Sequence, residues 1–125
     1  DVNGNLGLGV TPSAWSGYGL PVMQLSNDGT IVSSNSNQYL GANLYYSSGF
    51  KYITNQAASY YFQNAGAHKW FTAGSGSAGA AITFTQAMTL DASGNLGVGV
   101  TPNVTNREWF PFLQLAQLLP TQAVR

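Results

Sequence analysis

The chain writes one unusual phrase twice: residues 1–12 read DVNGNLGLGVTP and residues 91–102 read DASGNLGVGVTP. In a single ungapped register Asp1, Gly4, Asn5, Leu6, Gly7, Gly9, Val10, Thr11 and Pro12 return as Asp91, Gly94, Asn95, Leu96, Gly97, Gly99, Val100, Thr101 and Pro102. Pro21, Gln24 and Leu25 then return as Pro111, Gln114 and Leu115. A catalytic centre has no need of two copies of itself, whereas a repeating structural object does. The pattern predicts one physical unit used twice, over 1–25 and 91–115, around an insert at 26–90 and before a tail at 116–125. A chain that starts inside the phrase is expected to be a piece of something longer.

The phrase reads as a turn followed by a tight strand. Asn3-Gly4 and Ser93-Gly94 supply a residue able to take positive φ. Leu6, Leu8 and Val10 alternate with Gly7 and Gly9, and Leu96, Val98 and Val100 with Gly97 and Gly99. Glycine inside a strand lets another backbone approach closely. The expectation is that the leucines and valines face the core, and that Gly7, Gly9, Gly97 and Gly99 admit a neighbouring chain. Thr-Pro ends each strand, because proline cannot donate to a ladder.

Between the copies the pattern is strand and turn throughout. Residues 21–26 and 30–34 flank Asn27-Asp28-Gly29, residues 43–47 and 50–54 flank Ser48-Gly49, and residues 57–63 and 67–72 flank Asn64-Ala65-Gly66. Residues 82–90 alternate, with Ile82, Phe84, Met88 and Leu90 expected on one face and Thr83, Thr85 and Thr89 on the other. No stretch before residue 110 carries a helical period. Residues 112–119 are compatible with a short helix ending before Pro120 or with a strand. The fold class is all-β, mostly antiparallel meander and hairpins.

Composition narrows the function classes. Only 6% of residues are charged, against roughly 25% in an ordinary soluble domain, and the net charge is zero. No basic patch can neutralise a phosphate backbone, so nucleic acid is not an expected partner. Nothing repels neighbouring copies either, which favours a permanent assembly. There is no cysteine, so disulfides and thiolate metal sites are excluded. No apolar run approaches the ~20 residues of a membrane-spanning helix.

Motifs with chemical potential have simpler explanations. Gly74-Ser75-Gly76-Ser77-Ala78-Gly79 matches a dinucleotide-binding fingerprint letter for letter, but a period-2 strand follows it where a helix should open. His68 is the one histidine, so neither a zinc site nor any other metal centre or cofactor is expected from a single chain. Asp28 and Asp91 are the only plausible inner carboxylate pair for a glycosidase, and each has a turn-forming role. No enzymatic activity is expected. Aromatic residues crowd into 45–71, and Tyr45, Tyr52, Tyr60 and Trp70 form the candidate platform for stacking on sugar rings. The favoured reading of the cluster is nevertheless burial on both faces, one in the protomer core and one between chains.

The stretches NLYYSSGFKYI, AASYYFQNAGAHKWFTAGSGSAGAAITF and, above all, QAMTLDASGNLGVGVTP resemble a recurring region of bacteriophage tail-fibre and related virion appendage proteins. The resemblance spans about residues 1–102. It implies a homotrimer with strands intertwined about a common axis, built into a virion beside other appendage proteins and presented to host surface polysaccharide. In such fibres the phrase usually precedes a self-cleaving chaperone domain, for which this chain has no residues after 102. A non-binding shaft or head-decoration segment is the alternative, and a polysaccharide depolymerase fragment using Asp28 and Asp91 a less favoured one.

Overall fold

The structure is a computed structural model and describes residues 1–17 and 19–102. These residues are all-β and contain no helix. Ten strands run in chain order: β1 (Leu6–Leu8), β2 (Val22–Leu25), β3 (Gly29–Ser34), β4 (Asn37–Ala42), β5 (Leu44–Tyr46), β6 (Phe50–Tyr52), β7 (Ala58–Asn64), β8 (Ala67–Ala73), β9 (Thr85–Leu90) and β10 (Leu96–Val98). Eight of them form one sheet in the order β1-β2-β3-β4-β7-β8-β9-β10, and β5 and β6 form a separate hairpin. Every pairing is antiparallel except β1 with β2. The twice-written phrase supplies β1 and β10, which are the two edges of the large sheet. The reading of 112–119 lies outside the described residues.

Both copies of the turn are built alike. The Asp1 carboxylate accepts the Asn3 and Asn5 backbone N–H groups at 2.9 Å each and the Asn5 side-chain amide at 2.9 Å. Asp91 accepts Ser93 N–H at 2.9 Å, Asn95 N–H at 2.8 Å and the Asn95 amide at 2.9 Å. Gly4 and Gly94 sit at φ 81° and 84°. The Asn95 side chain first, and then the surrounding N–H groups, hold the Asp91 carboxyl below its ordinary range. That turn is therefore favoured above the ordinary carboxylate range and loosens as pH falls through the depressed value.

The strand that follows is turned opposite to expectation. Leu6 and Leu8 are 55% and 64% exposed, and Val98 is 64% exposed, whereas Gly97 is buried. The glycines face inward because the chain folds back over them. A Cβ on Gly7 would lie 1.9 Å from the Val10 carbonyl oxygen, and one on Gly97 would lie 2.3 Å from that of Val100. The close neighbour is thus the chain's own return segment. Gly9 and Gly99 have open space around Cα and serve a different need, φ of 74° and 69°.

The inner face of the sheet carries Val22, Val32, Tyr39 and Phe62 in one cross-strand row, with Gln24, Thr30, Gly41 and Tyr60 in the next. The β5–β6 hairpin packs on it, placing Leu44 in a core with Trp15, Val22 and Val32, flanked by Tyr39, Phe50, Tyr60 and Phe84. Gly41 makes the room: a Cβ there would stand 2.9 Å from Leu44 Cδ2. Gln24 accepts Ser13 N–H at 2.8 Å and the Trp15 indole N–H at 3.3 Å, which fastens the loop after the phrase to β2.

Strand β9 departs from its reading in length and in facing. It starts at Thr85, and Ile82 and Phe84 pack into the core while Met88 and Leu90 lie on the opposite face. Trp70 pairs with Met88 but Phe71 pairs with Gln86, so a bulge at Ala87 inverts the alternation.

Thr30 is fully buried and its Oγ1 has no partner among the described residues. An unsatisfied buried hydroxyl costs about 1 kcal/mol or more. Thr30→Val keeps the shape and removes that group. It is expected to raise stability by about 1 kcal/mol and the melting temperature by roughly 4 °C. A lower melting temperature would show that the hydroxyl is satisfied in solution.

Candidate interaction surface

Among the described residues, no layer lies over the second face of the large sheet. Reading the register across all eight strands gives one continuous row: Leu6, Met23, Ile31, Leu40, Tyr61, Trp70, Met88, Val98. Every member is apolar or aromatic. Leu6 and Leu40 are each 55% exposed and Met23 37%, while Ile31, Tyr61, Trp70 and Met88 are half-buried by their neighbours. Seven interstrand spacings of roughly 4.8 Å make the row about 34 Å long. No charged residue interrupts it.

At its centre Tyr61 and Trp70 are cross-strand partners with ring centroids 5.1 Å apart. His68 stacks on Tyr61 with centroids 5.9 Å apart, and its Nδ1 is hydrogen-bonded to the Tyr61 hydroxyl. This fixes the histidine as part of the face, one row along from Trp70. The neighbouring row on the same face is polar on three strands, with Ser33, Gln38 and Gln63 in register with His68. The apolar stripe is therefore bordered by neutral hydrogen-bonding groups.

The structure does not bring the four candidate sugar-stacking residues together. Of them, Trp70 alone lies on the open face. Tyr45 sits edge-on to the buried Trp15 ring, with centroids 6.4 Å apart. Tyr52 is buried, and its hydroxyl donates to the Gly74 carbonyl at 2.6 Å. Tyr60 is on the core side, stacked on Phe71 with centroids 4.5 Å apart and edge-on to Phe84. The YY pair at 60–61 thus divides between the faces, as alternation requires.

Burial first, and the Tyr39 phenol second, push the Tyr60 pKa up to about 12. The unfolded value is about 10, so the folded state favours the neutral phenol. That contribution is complete below pH 10 and is lost as pH rises toward 12. Tyr60→Phe is expected to flatten the fall in melting temperature between pH 9 and pH 12, measured by circular dichroism. An unchanged alkaline slope would contradict this assignment.

The glycine-rich loop has a packing role. Gly79 N–H donates to the Tyr52 carbonyl at 2.8 Å, Tyr52 N–H donates to Ala80 at 3.1 Å, and a Cβ on Gly76 would lie 2.2 Å from the Tyr52 ring. The fingerprint match is a lid over one tyrosine. Of the two acids weighed as a pair, Asp91 spends its carboxylate on its own turn, and Asp28 accepts Asn43 N–H through its backbone carbonyl at 2.6 Å. A shallow recess of about 190 Å³ lies beside the β3–β4 turn, lined by Gly17, Ser34, Asn37, Tyr39 and Tyr46, and none of the four sugar candidates touches it. Comparison of the chain with protein-family models, with curated proteins and with solved structures returns no match.

Proposed function

We propose that this chain is a structural segment of a virion appendage, a tail fibre or a related part, whose open sheet face is covered by identical chains in a homotrimer. The observation that carries this reading is the unbroken apolar row across eight strands. Exposed apolar patches larger than a few hundred Å² mark interaction sites, and a homo-oligomer interface needs roughly 800 Å² per partner. A face about 34 Å long and several residues deep is of that order. The charge-poor composition and the phrase QAMTLDASGNLGVGVTP support the same reading. Its mechanism is mechanical presentation of a β surface to the host rather than catalysis, on an extracellular particle.

Dispersal of Tyr45, Tyr52 and Tyr60 into the protomer favours a second reading, a shaft or decoration segment without a glycan site of its own. Binding to a glycan panel that Trp70→Ala abolishes would decide for the host-contacting form, and a blank panel for the shaft. The assembly itself is tested at the middle of the row. Leu40→Glu is expected to return the chain to a 13.2 kDa particle in sedimentation velocity, because a buried unpaired carboxylate costs several kcal/mol in each interface. Survival of the assembly in that variant would overturn the use of this face.

A further inference from the structure

Among the described residues, the two copies of the phrase leave opposite sides of the same strand unpaired. Strand β1 turns its Leu8 carbonyl toward β2, where it accepts Ser26 N–H at 2.8 Å. Successive residues of a strand direct their backbone groups to alternate sides. Gly7 and Gly9 therefore face the empty side of β1. In β10 the assignment is reversed: Gly99 N–H donates to the Ala87 carbonyl of β9 at 2.8 Å, and the backbone groups of Leu96 and Val98 face outward. The empty edge of β10 is thus the edge with which β1 holds β2.

The directions agree as well. Six antiparallel pairings lead from β2 to β10, so β10 runs in the sense of β2 and of β1, which is parallel to β2. Against β10, the empty edge of β1 offers Gly7 and Gly9 in the places where β2 offers Gln24 and Ser26 to β1. The last pair match in conformation too, with Ser26 at φ 51° and Gly9 at φ 74°. Neither edge strand contains a charged residue, a proline or a bulge, the devices that ordinarily blunt an edge.

The geometry points to head-to-tail joining of copies of this chain, β1 of one adding in parallel to β10 of the next. Gly7 then stands opposite Gly97, Leu6 beside Leu96 and Leu8 beside Val98. These leucines and valines all lie on the open face, so the apolar row continues without a break from one copy into its neighbour. The contact is heterologous, so it propagates from copy to copy, into a filament unless the rotation between copies closes a ring. It is separate from the face-to-face contact proposed above, since it uses backbone groups at the edges.

The chain has no cysteine, so Leu8→Cys/Val98→Cys introduces the only thiols. With a short bis-maleimide this variant is expected to give a ladder of dimers, trimers and larger species. A fainter ladder is also expected in the Leu40→Glu background, because the bis-maleimide traps edge contacts too brief to raise the mass read by sedimentation. Val98→Pro removes the outward N–H while keeping the β9 side of the strand. Scored with Leu8→Cys and Leu96→Cys as the thiols, it is expected to lower the cross-linked fraction about tenfold, the effect of losing roughly one net hydrogen bond. Two results would overturn the proposal. One is a Leu8→Cys/Val98→Cys chain that stays monomeric after cross-linking. The other is efficient cross-linking within one chain in Val98→Cys/Leu115→Cys, which would mean that the edge is taken in cis, as Leu25 takes its place beside Leu8.

Discussion

Asn43→Asp is expected to destabilise the protein by about 4 kcal/mol, enough to leave a domain of ordinary stability close to unfolding. Asn43 is 3% exposed and sits at the corner between β4 and β5 at φ 58°. Its amide nitrogen donates to the carbonyls of Gln56 at 2.8 Å and of Thr54 and Ala57 at 3.2 Å each. Its Oδ1 accepts Thr54 N–H at 2.6 Å and the Thr54 hydroxyl at 3.0 Å. One side chain thereby holds four backbone groups of the 54–57 connection. A carboxylate would turn a buried charge against three carbonyl oxygens without any cation to offset it. Asn43→Gly keeps the positive φ but not the hydrogen bonds, and should cost about half as much. Urea denaturation reads both. A midpoint within error of the wild type for Asn43→Asp would show that the corner is not held by this residue.

Gly97→Val carries the second large effect, about 3 kcal/mol. The added Cβ would meet the Val100 carbonyl oxygen at 2.3 Å and the Pro102 ring at 2.8 Å and 3.0 Å. A backbone carbonyl followed by Thr-Pro cannot swing aside as a flexible side chain would, so the return segment must lift off the strand. Gly7→Val repeats the experiment in the first copy, where the corresponding distances are 1.9 Å and 2.8 Å, and should cost as much. Gly99→Val has open space and only the left-handed backbone to oppose it, about 1–2 kcal/mol. Thermal denaturation of the three variants should rank Gly7→Val and Gly97→Val below Gly99→Val. The reverse order would mean that the glycines are kept for another chain's approach, as the sequence pattern alone implies.

The hairpins were legible where glycine marks the turn, at Asn27-Asp28-Gly29, Ser48-Gly49 and Asn64-Ala65-Gly66. Strand β4 was not, because it is joined to β3 by Asn35-Ser36, a two-residue turn with both φ positive, at 45° and 65°, and no glycine to announce it. The facing of the phrase was misread because a Leu-Gly-Leu alternation looks like core and cavity. Only the return of Val10–Pro12 over Gly7 decides which side is inside. The faces of β9 were misread because one bulge residue, Ala87, inverts the period-2 pattern without altering composition. The open row was illegible for a different reason. Its eight members come from eight strands, one residue each, and no two of them lie closer than eight residues apart in the sequence.

A homotrimer built on this face requires that row to be covered in solution. Molar mass by light scattering across a hundredfold range of concentration tests it most directly. The smallest stable species is expected at roughly three times 13.2 kDa, falling to a single chain in Leu40→Glu. A wild-type chain that remains a 13.2 kDa monomer at every concentration would contradict it.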